Sequence, residues 1–255
     1  MHRLPLHSRP SAGRPKRATY LIRSVFALAI ACLLLQPGCF FRRNKVPNAP
    51  TIPAPVRIVL LPMNVPPDNE DLRWLSFATE VRMMEVAAAV PDLELVPLWE
   101  SLPASLQTLG VSRTTTDEVS EFIAARLSAR WATAGRIVPA KEGYTFRIDF
   151  IPARPSQVPF RFEKISSVEA MDSRFREAFE QLARYLNVRP PEQEKTPLLD
   201  IKKLREIAQA IDIEYGWFAE AKPGSAGALV GELAARNRNL ARLLFNPTLY
   251  PVLEK

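Results

Sequence analysis

An α/β domain with a mixed sheet, in the order β-α-β-α-β-β-β-α and followed by a C-terminal helical hairpin, is the fold this sequence predicts. Three observations predict it. Short apolar runs with β-branched residues stand at Arg57–Pro62 and Leu93–Pro97, each followed by a stretch of helical composition. Three β-type segments then follow one another between residues 131 and 165, and residues 197–255 carry two amphipathic stripes with no strand between them. Alternating strands and helices, then clustered strands, fit helices packed in layers on one mixed sheet.

Each element has its own warrant. Arg57-Ile58-Val59-Leu60-Leu61-Pro62 is almost continuously apolar with proline on both sides, which reads as a buried strand. After the turn-rich Val65-Pro66-Pro67-Asp68-Asn69, residues 70–90 have helix-forming composition, acidic residues that suit the positive end of the helix dipole, and a stop at Pro91. Leu93-Glu94-Leu95-Val96-Pro97 is a second strand. Thr116-Asp117 opens a second helix through about Arg130, with Val119, Phe122, Ile123 and Leu127 on one face. Strands over Trp131–Val138, Tyr144–Ile151 and Val158–Ile165 are separated by Lys141-Glu142-Gly143 and by a Pro155-Ser156-Gln157 loop, both hairpin signals. A third helix over Ser167–Leu186 places Met171, Phe175, Ala178, Phe179, Leu182 and Leu186 on one face.

A break at Arg189-Pro190-Pro191-Glu192-Gln193-Glu194-Lys195 precedes the helical hairpin. Its first helix is expected after Thr196-Pro197, an N-cap and first-position pair, with Ile201, Leu204, Ala208, Ile211 and Tyr215 on one stripe. Its second begins near Ser225 and carries Leu229, Leu233, Leu240, Leu243 and Leu244. The pair is expected to dock on the α/β domain. The helix over 70–90 calls for such a partner: Trp74, Phe77, Val81 and Met84 lie on one side and Leu72, Leu75, Met83, Val86 and Val90 on another. A sheet alone does not cover a helix apolar on so much of its circumference, so the C-terminal pair or a partner protein must do so.

The N-terminus reads as a leader. Arg3, Arg9, Arg14, Lys16, Arg17 and Arg23 precede an apolar run, Ser24–Leu35, of twelve residues. That length fits a signal-peptide core and falls short of the roughly 20 residues needed to span a bilayer. The run ends in Gln36-Pro37-Gly38-Cys39, which resembles the lipobox cut by lipoprotein signal peptidase, although Gln36 stands where Leu is usual and Leu35 is one step further out. The resemblance implies that residues 1–38 are removed and that Cys39 becomes an acylated N-terminus, anchored through buried methylenes. Cys32 is a competing position, but it leaves an apolar core of only eight residues. Because Phe40, not Asp, follows Cys39, the resemblance further implies the periplasmic face of the outer membrane. Residues 39–55 carry prolines at 47, 50, 53 and 55 and read as a semi-rigid tether.

Discarding the leader changes the charge. The whole chain is +7, and removing six basic residues leaves +1, so its basic character gives no support to nucleic-acid binding. Cys32, Cys39, His2 and His7 all lie at or before the cut, so the remaining chain has no further cysteine and no imidazole. Ser-His-Asp and Cys-His catalysis and histidine zinc sites are therefore excluded there. The Ser-x-x-Lys, Gly-x-Ser-x-Gly and phosphate-loop patterns are also absent.

Val56–Pro62, the helix after it, Leu93–Pro97 and Ala134-Gly135-Arg136-Ile137-Val138 together resemble the amino-terminal domain family of TolB, over about residues 56–188. That family includes lipoproteins that activate penicillin-binding proteins and the flagellar lipoprotein FlgO. The resemblance implies a non-enzymatic protein that binds an envelope partner or itself, as an assembly or regulatory factor, with no cofactor and no small-molecule substrate. The expected organisation is leader 1–38, lipidated tether 39–55, α/β domain 56–188, linker 189–196 and helical hairpin 197–255. Two other classes compete with binding. A cell-wall enzyme working through carboxylates alone could use Glu177 and Glu180, although Arg174, Arg176 and Arg184 beside them make a solvated charged face the better reading. A structural module that oligomerises is the other. Asp68, Glu70 and Asp71 could offer oxygens to a hard cation but fit the opening of a helix better. Gly224-Ser225-Ala226-Gly227 could seat an anion on free amides, or simply cap a helix.

Overall fold

In the computed structural model the described residues are 54–66, 69–110, 114–192, 198–218 and 220–254. They hold one five-stranded mixed sheet and six α-helices. The strands are β1 (Val56–Val59), β2 (Leu93–Leu95), β3 (Trp131–Ala140), β4 (Gly143–Pro152) and β5 (Phe160–Ser166), in the spatial order β2-β1-β3-β4-β5. The helices are α1 (Arg73–Ala87), α2 (Leu98–Leu109), α3 (Asp117–Arg126), α4 (Met171–Leu186), α5 (Ile201–Tyr215) and α6 (Gly227–Leu244). Strand β1 runs parallel to both neighbours, with Ile58 opposite Leu95 on one side and Trp131 on the other. Strands β3, β4 and β5 form an antiparallel meander.

The meander comes from tight turns and alternating side chains. Ala140 pairs with Gly143, so only Lys141 and Glu142 form the first turn, and Gly143 sits at φ +101°. A side chain there would meet the Ser166 carbonyl oxygen at 2.6 Å. Glycine is required by both the conformation and the space. At Gly135 a Cβ would lie 2.9 Å from Met63 Cγ, so the missing side chain lets the segment after β1 close onto β3. That segment leaves regular pairing at Val59 but stays tied to β3: Asn64 N donates to the Gly135 carbonyl and Ile137 N to the Asn64 carbonyl, both at 2.8 Å. The strand expected through Pro62 is thus shorter, and its continuation is a single bridge.

One face of the sheet builds the main core. Phe146, Ile148 and Phe150 of β4 and Phe162 of β5 pack against Phe175 and Phe179 of α4, with edge-on rings at 5.8 Å for Phe146–Phe175 and 5.7 Å for Phe150–Phe179. Helix α1 is buried beside them on nearly every side, under α5 and α6, and Phe77 meets the Trp217 ring edge-on at 6.0 Å. The same connected core runs from Val56 to Leu253. The cover demanded by α1 is therefore the C-terminal pair. On the opposite face Val59, Leu61, Val96, Ala132 and the α3 residues Ile123 and Ala124 form a smaller cluster.

Helices α2, α3, α5 and α6 also differ from the sequence reading. No element was expected over Leu98–Leu109, where α2 forms in spite of Pro103, because Leu98 and Leu102 are buried and Ser101 and Ser105 fill their hydrogen bonds within the helix. Helix α3 has the expected Thr116 cap, which accepts from Val119 N, but it stops at Arg126 with Ser128 at φ +54°. Helix α5 is capped by Asp200, whose carboxylate accepts from Lys203 N at 2.8 Å, and Thr196-Pro197 lie outside the described residues. Helix α6 breaks at Asn237, φ −149° and ψ 87°, whose side chain accepts from Leu240 N and restarts the helix. This break explains the gap between Leu233 and Leu240 in the apolar stripe.

Candidate interaction surface and the charges buried behind it

Helix α1 carries two kinds of buried charge. Arg82 is 1% exposed and has three partners from three parts of the chain. Its Nη1 donates to Glu85 Oε2 at 2.6 Å, its Nη2 donates to the Leu199 carbonyl, and its Nε lies 2.7 Å from Asp172 Oδ1 of α4. Leu199 N in turn donates to Glu85 Oε1 at 3.0 Å. Both backbone groups of Leu199, directly before α5, are thus held by one ion pair on α1. Burial pushes the Asp172 carboxyl above its usual range, against the pull of Arg82 and Arg176. Glu80 is the opposite case. It is completely buried, neither oxygen has a hydrogen-bond partner, and desolvation raises its pKa well above the usual carboxylate value. Burial without a partner disfavours the charged form of this carboxyl.

A second internal anion site lies where the C-terminal pair turns. Glu214, 2% exposed, accepts from Gly224 N at 2.9 and 3.0 Å and from the Tyr250 hydroxyl at 2.6 Å, while Ala226 N donates to Tyr250 Oη. The amide at 224 thus serves the chain's own Glu214 carboxylate and the amide at 226 the Tyr250 hydroxyl, which accounts for the Gly224–Gly227 motif without an external anion. Burial and Glu214 push the Tyr250 hydroxyl up to about 12.

The exposed surface divides into an open sheet face and a pocket. Beyond the part covered by α3, the outer face presents cross-strand rows: Val138, Thr145 and Ile165; Arg136, Arg147 and Glu163; Ala134, Asp149 and Arg161. Asp149 is nearly buried and bound by Arg147 Nε at 2.8 Å and by Arg161 Nε. At the end of the sheet where β1 and β3 begin, Val56, Arg130, Trp131, Gln157, Val158, Tyr185 and Leu186 line a pocket of about 270 Å³. Its wall is fixed: Trp131 and Tyr185 meet edge-on at 5.9 Å, and the Tyr185 hydroxyl donates to the Val158 carbonyl at 2.8 Å. Val158 precedes β5 instead of opening it as expected.

Cys39, with the leader and most of the tether, lies outside the described residues, as do Asp68 and the side chain of Asp71. Glu70 pairs with Arg73 at 3.1 Å. Glu177 pairs with Lys164 and Arg174, both at 3.4 Å, and Glu180 with Arg184 at 3.7 Å. Those carboxylates stand in a charged helix face, each with its own cation. Among the described residues no group of three or more Asp or Glu is placed to hold a metal, and no helix is long and apolar enough to cross a membrane. Sequence reasoning missed the Arg82–Glu85 clamp and the pocket, since both join residues far apart in the chain; the signal for the clamp was two charges on the otherwise apolar face of α1.

No family profile matches the chain, and no curated relative does. Among solved structures the chain is similar to TolB from Acinetobacter baumannii, at 6% identity and a TM-score of 0.35, over 52% of this chain and 28% of that one. It is similar to the LpoB C-terminal domain from Escherichia coli, at 11% identity and a TM-score of 0.32, over 44% and 83%. It is also similar to the protein CT253 from Chlamydia trachomatis, at 14% identity and a TM-score of 0.31, over 52% and 96%. This chain thus spans little more than a quarter of the TolB chain it matches.

Proposed function

We propose that this chain is a lipid-anchored envelope protein that faces the periplasm from the outer membrane and works by binding another protein, as an assembly or regulatory factor of an envelope complex. The observation that carries this reading is the run of features at the N-terminus: a basic segment, twelve apolar residues, Gln36-Pro37-Gly38-Cys39 and then prolines at 47, 50, 53 and 55. Cleavage at this point makes Cys39 the attachment site for acyl chains, residues 40–55 the spacer, and residues 56–255 the part presented to a partner. The binding role draws on a surface whose side chains have the character of an interface: exposed Val158 and Tyr185 beside a cation, on a scaffold tied down by buried pairs.

Density-gradient separation of the two membranes tests the placement. The wild-type chain is expected with the outer membrane, and Cys39→Ser with the inner membrane as an uncleaved precursor. Equal distribution of both forms in the soluble fraction would refute the anchor. In-cell cross-linking from residue 158 or 185 tests the binding: a discrete adduct is expected, and a chain that cross-links to nothing at either position would refute it.

A further inference from the structure

The pocket at the start of β1 and β3 has the attributes of a receptor for one side chain. At about 270 Å³ it is smaller than the roughly 300–1,000 Å³ of small-molecule sites and suits a single residue of a polypeptide. Its lining combines Val56, Trp131, Val158, Tyr185 and Leu186 with the polar Arg130 and Gln157, and the Tyr185–Val158 hydrogen bond and the Trp131–Tyr185 contact set its shape before anything enters. Val158 is 70% exposed and Tyr185 46%, and the hydrogen bond between them keeps the two side by side at the rim.

The charge at the rim narrows the occupant. Arg130 lines the pocket, is exposed, and has no ion pair among the described residues, whereas Arg57 pairs with Glu94 and Glu100 and Arg189 with Asp92. Its backbone is held, since Arg130 N donates to the Arg57 carbonyl at 2.8 Å and the Arg130 carbonyl accepts from Ala153 N at 2.9 Å. A fixed backbone whose guanidinium has no ion-pair partner among the described residues, beside a pocket walled by Trp131 and Tyr185, is complementary to an apolar side chain carried next to a carboxylate.

We infer that this pocket docks a segment of a partner protein in which an aromatic or branched aliphatic residue stands beside Asp or Glu, the apolar side chain entering between Trp131, Tyr185 and Val158 and the carboxylate pairing with Arg130. The inference rests on the protein-binding reading and narrows it to one surface and one chemistry.

Selection from a random twelve-residue peptide library on the purified full chain tests it. Peptides with an aromatic or branched aliphatic residue next to Asp or Glu are expected to be enriched, and Arg130→Glu is expected to switch the enriched charge to Lys or Arg. For the strongest peptide, Arg130→Gln is expected to lower affinity on the order of tenfold, the scale of one lost charge-assisted contact. Val158→Asp, at an exposed position, is expected to abolish binding while leaving the circular dichroism unchanged. Enrichment of a motif indifferent to Arg130→Glu and Val158→Asp would overturn the pocket while leaving the envelope-binding reading standing. Val158-dependent sedimentation with vesicles of phosphatidylglycerol and phosphatidylethanolamine, without peptide enrichment, would also overturn it by making the surface a lipid contact.

Discussion

The two faces of the sheet come from the same strands and the same alternation of side chains, yet one is closed and the other half open. The closed face stacks Phe146, Phe150 and Phe162 under α4, with α1, α5 and α6 behind. On the open face the rows through Arg136, Arg147 and Glu163 and through Val138 and Ile165 reach solvent. The difference lies in what crosses each face. On the closed side α1, Asp172 of α4 and the Leu199 backbone before α5 meet at the Arg82–Glu85 pair within the larger apolar core, whereas α3 lies across the other face. The larger apolar core and the buried ion pair thus lie on one side of the sheet.

Substitutions can break that contrast, and the largest effect is expected at Arg82. Arg82→Ala takes the guanidinium away from Glu85 and from the Leu199 carbonyl, so urea denaturation should show a loss of about 3–5 kcal/mol, the scale for breaking a buried pair. An unchanged midpoint would mean that the clamp does not hold the C-terminal helices. Gly143→Val places a β-branched side chain at φ +101° and 2.6 Å from a carbonyl oxygen; a loss of about 1–3 kcal/mol is expected from backbone strain of this kind, measured the same way.

Glu80 sharpens the contrast through pH. Its folded pKa lies well above the unfolded value, so its contribution is fully favourable below pH 4.5 and is lost as pH rises toward the folded pKa. Glu80→Gln should remove that loss, making the variant's melting temperature exceed the wild type's at pH 8 with a gap that closes by pH 4. A gap independent of pH would contradict a raised folded pKa. Asp92 behaves in the opposite sense and more weakly. Hydrogen bonds from Arg189 hold it at about 2, so its contribution is present above the usual 3.8 and is lost as pH falls through 2. Asp92→Asn should flatten acid unfolding slightly in that window. Least of all, Val158→Asp should move the urea midpoint by no more than about 0.5 kcal/mol, as at other exposed sites.

Much of the fold was legible in the sequence because its signals were local. The apolar run at 57–62, the Lys141-Glu142-Gly143 turn and the stripe from Met171 to Leu186 each state their structure within a few residues, and the excess apolarity of α1 announced a covering layer. Helix α2 was not legible, because Pro103 argues against it and only the burial of Leu98 and Leu102 by distant elements holds it in place. The cap of α5 was misplaced for a similar reason: Thr196-Pro197 has the right residue types, but Asp200 has the hydrogen bond. Of the surface, nothing was legible beforehand. Val56, Trp131, Val158 and Tyr185 lie on four separate segments and meet only when β1, β3, the β4–β5 loop and α4 converge.

The proposed role in the envelope requires that the chain be held there through Cys39. Growth with an alkyne-labelled palmitate, followed by mass spectrometry of the mature N-terminal peptide, tests that claim most directly. A labelled peptide beginning at Cys39, with the label gone in Cys39→Ala, is the predicted result. A label that survives Cys39→Ala, or a mature protein still carrying residues before Cys39, would contradict it.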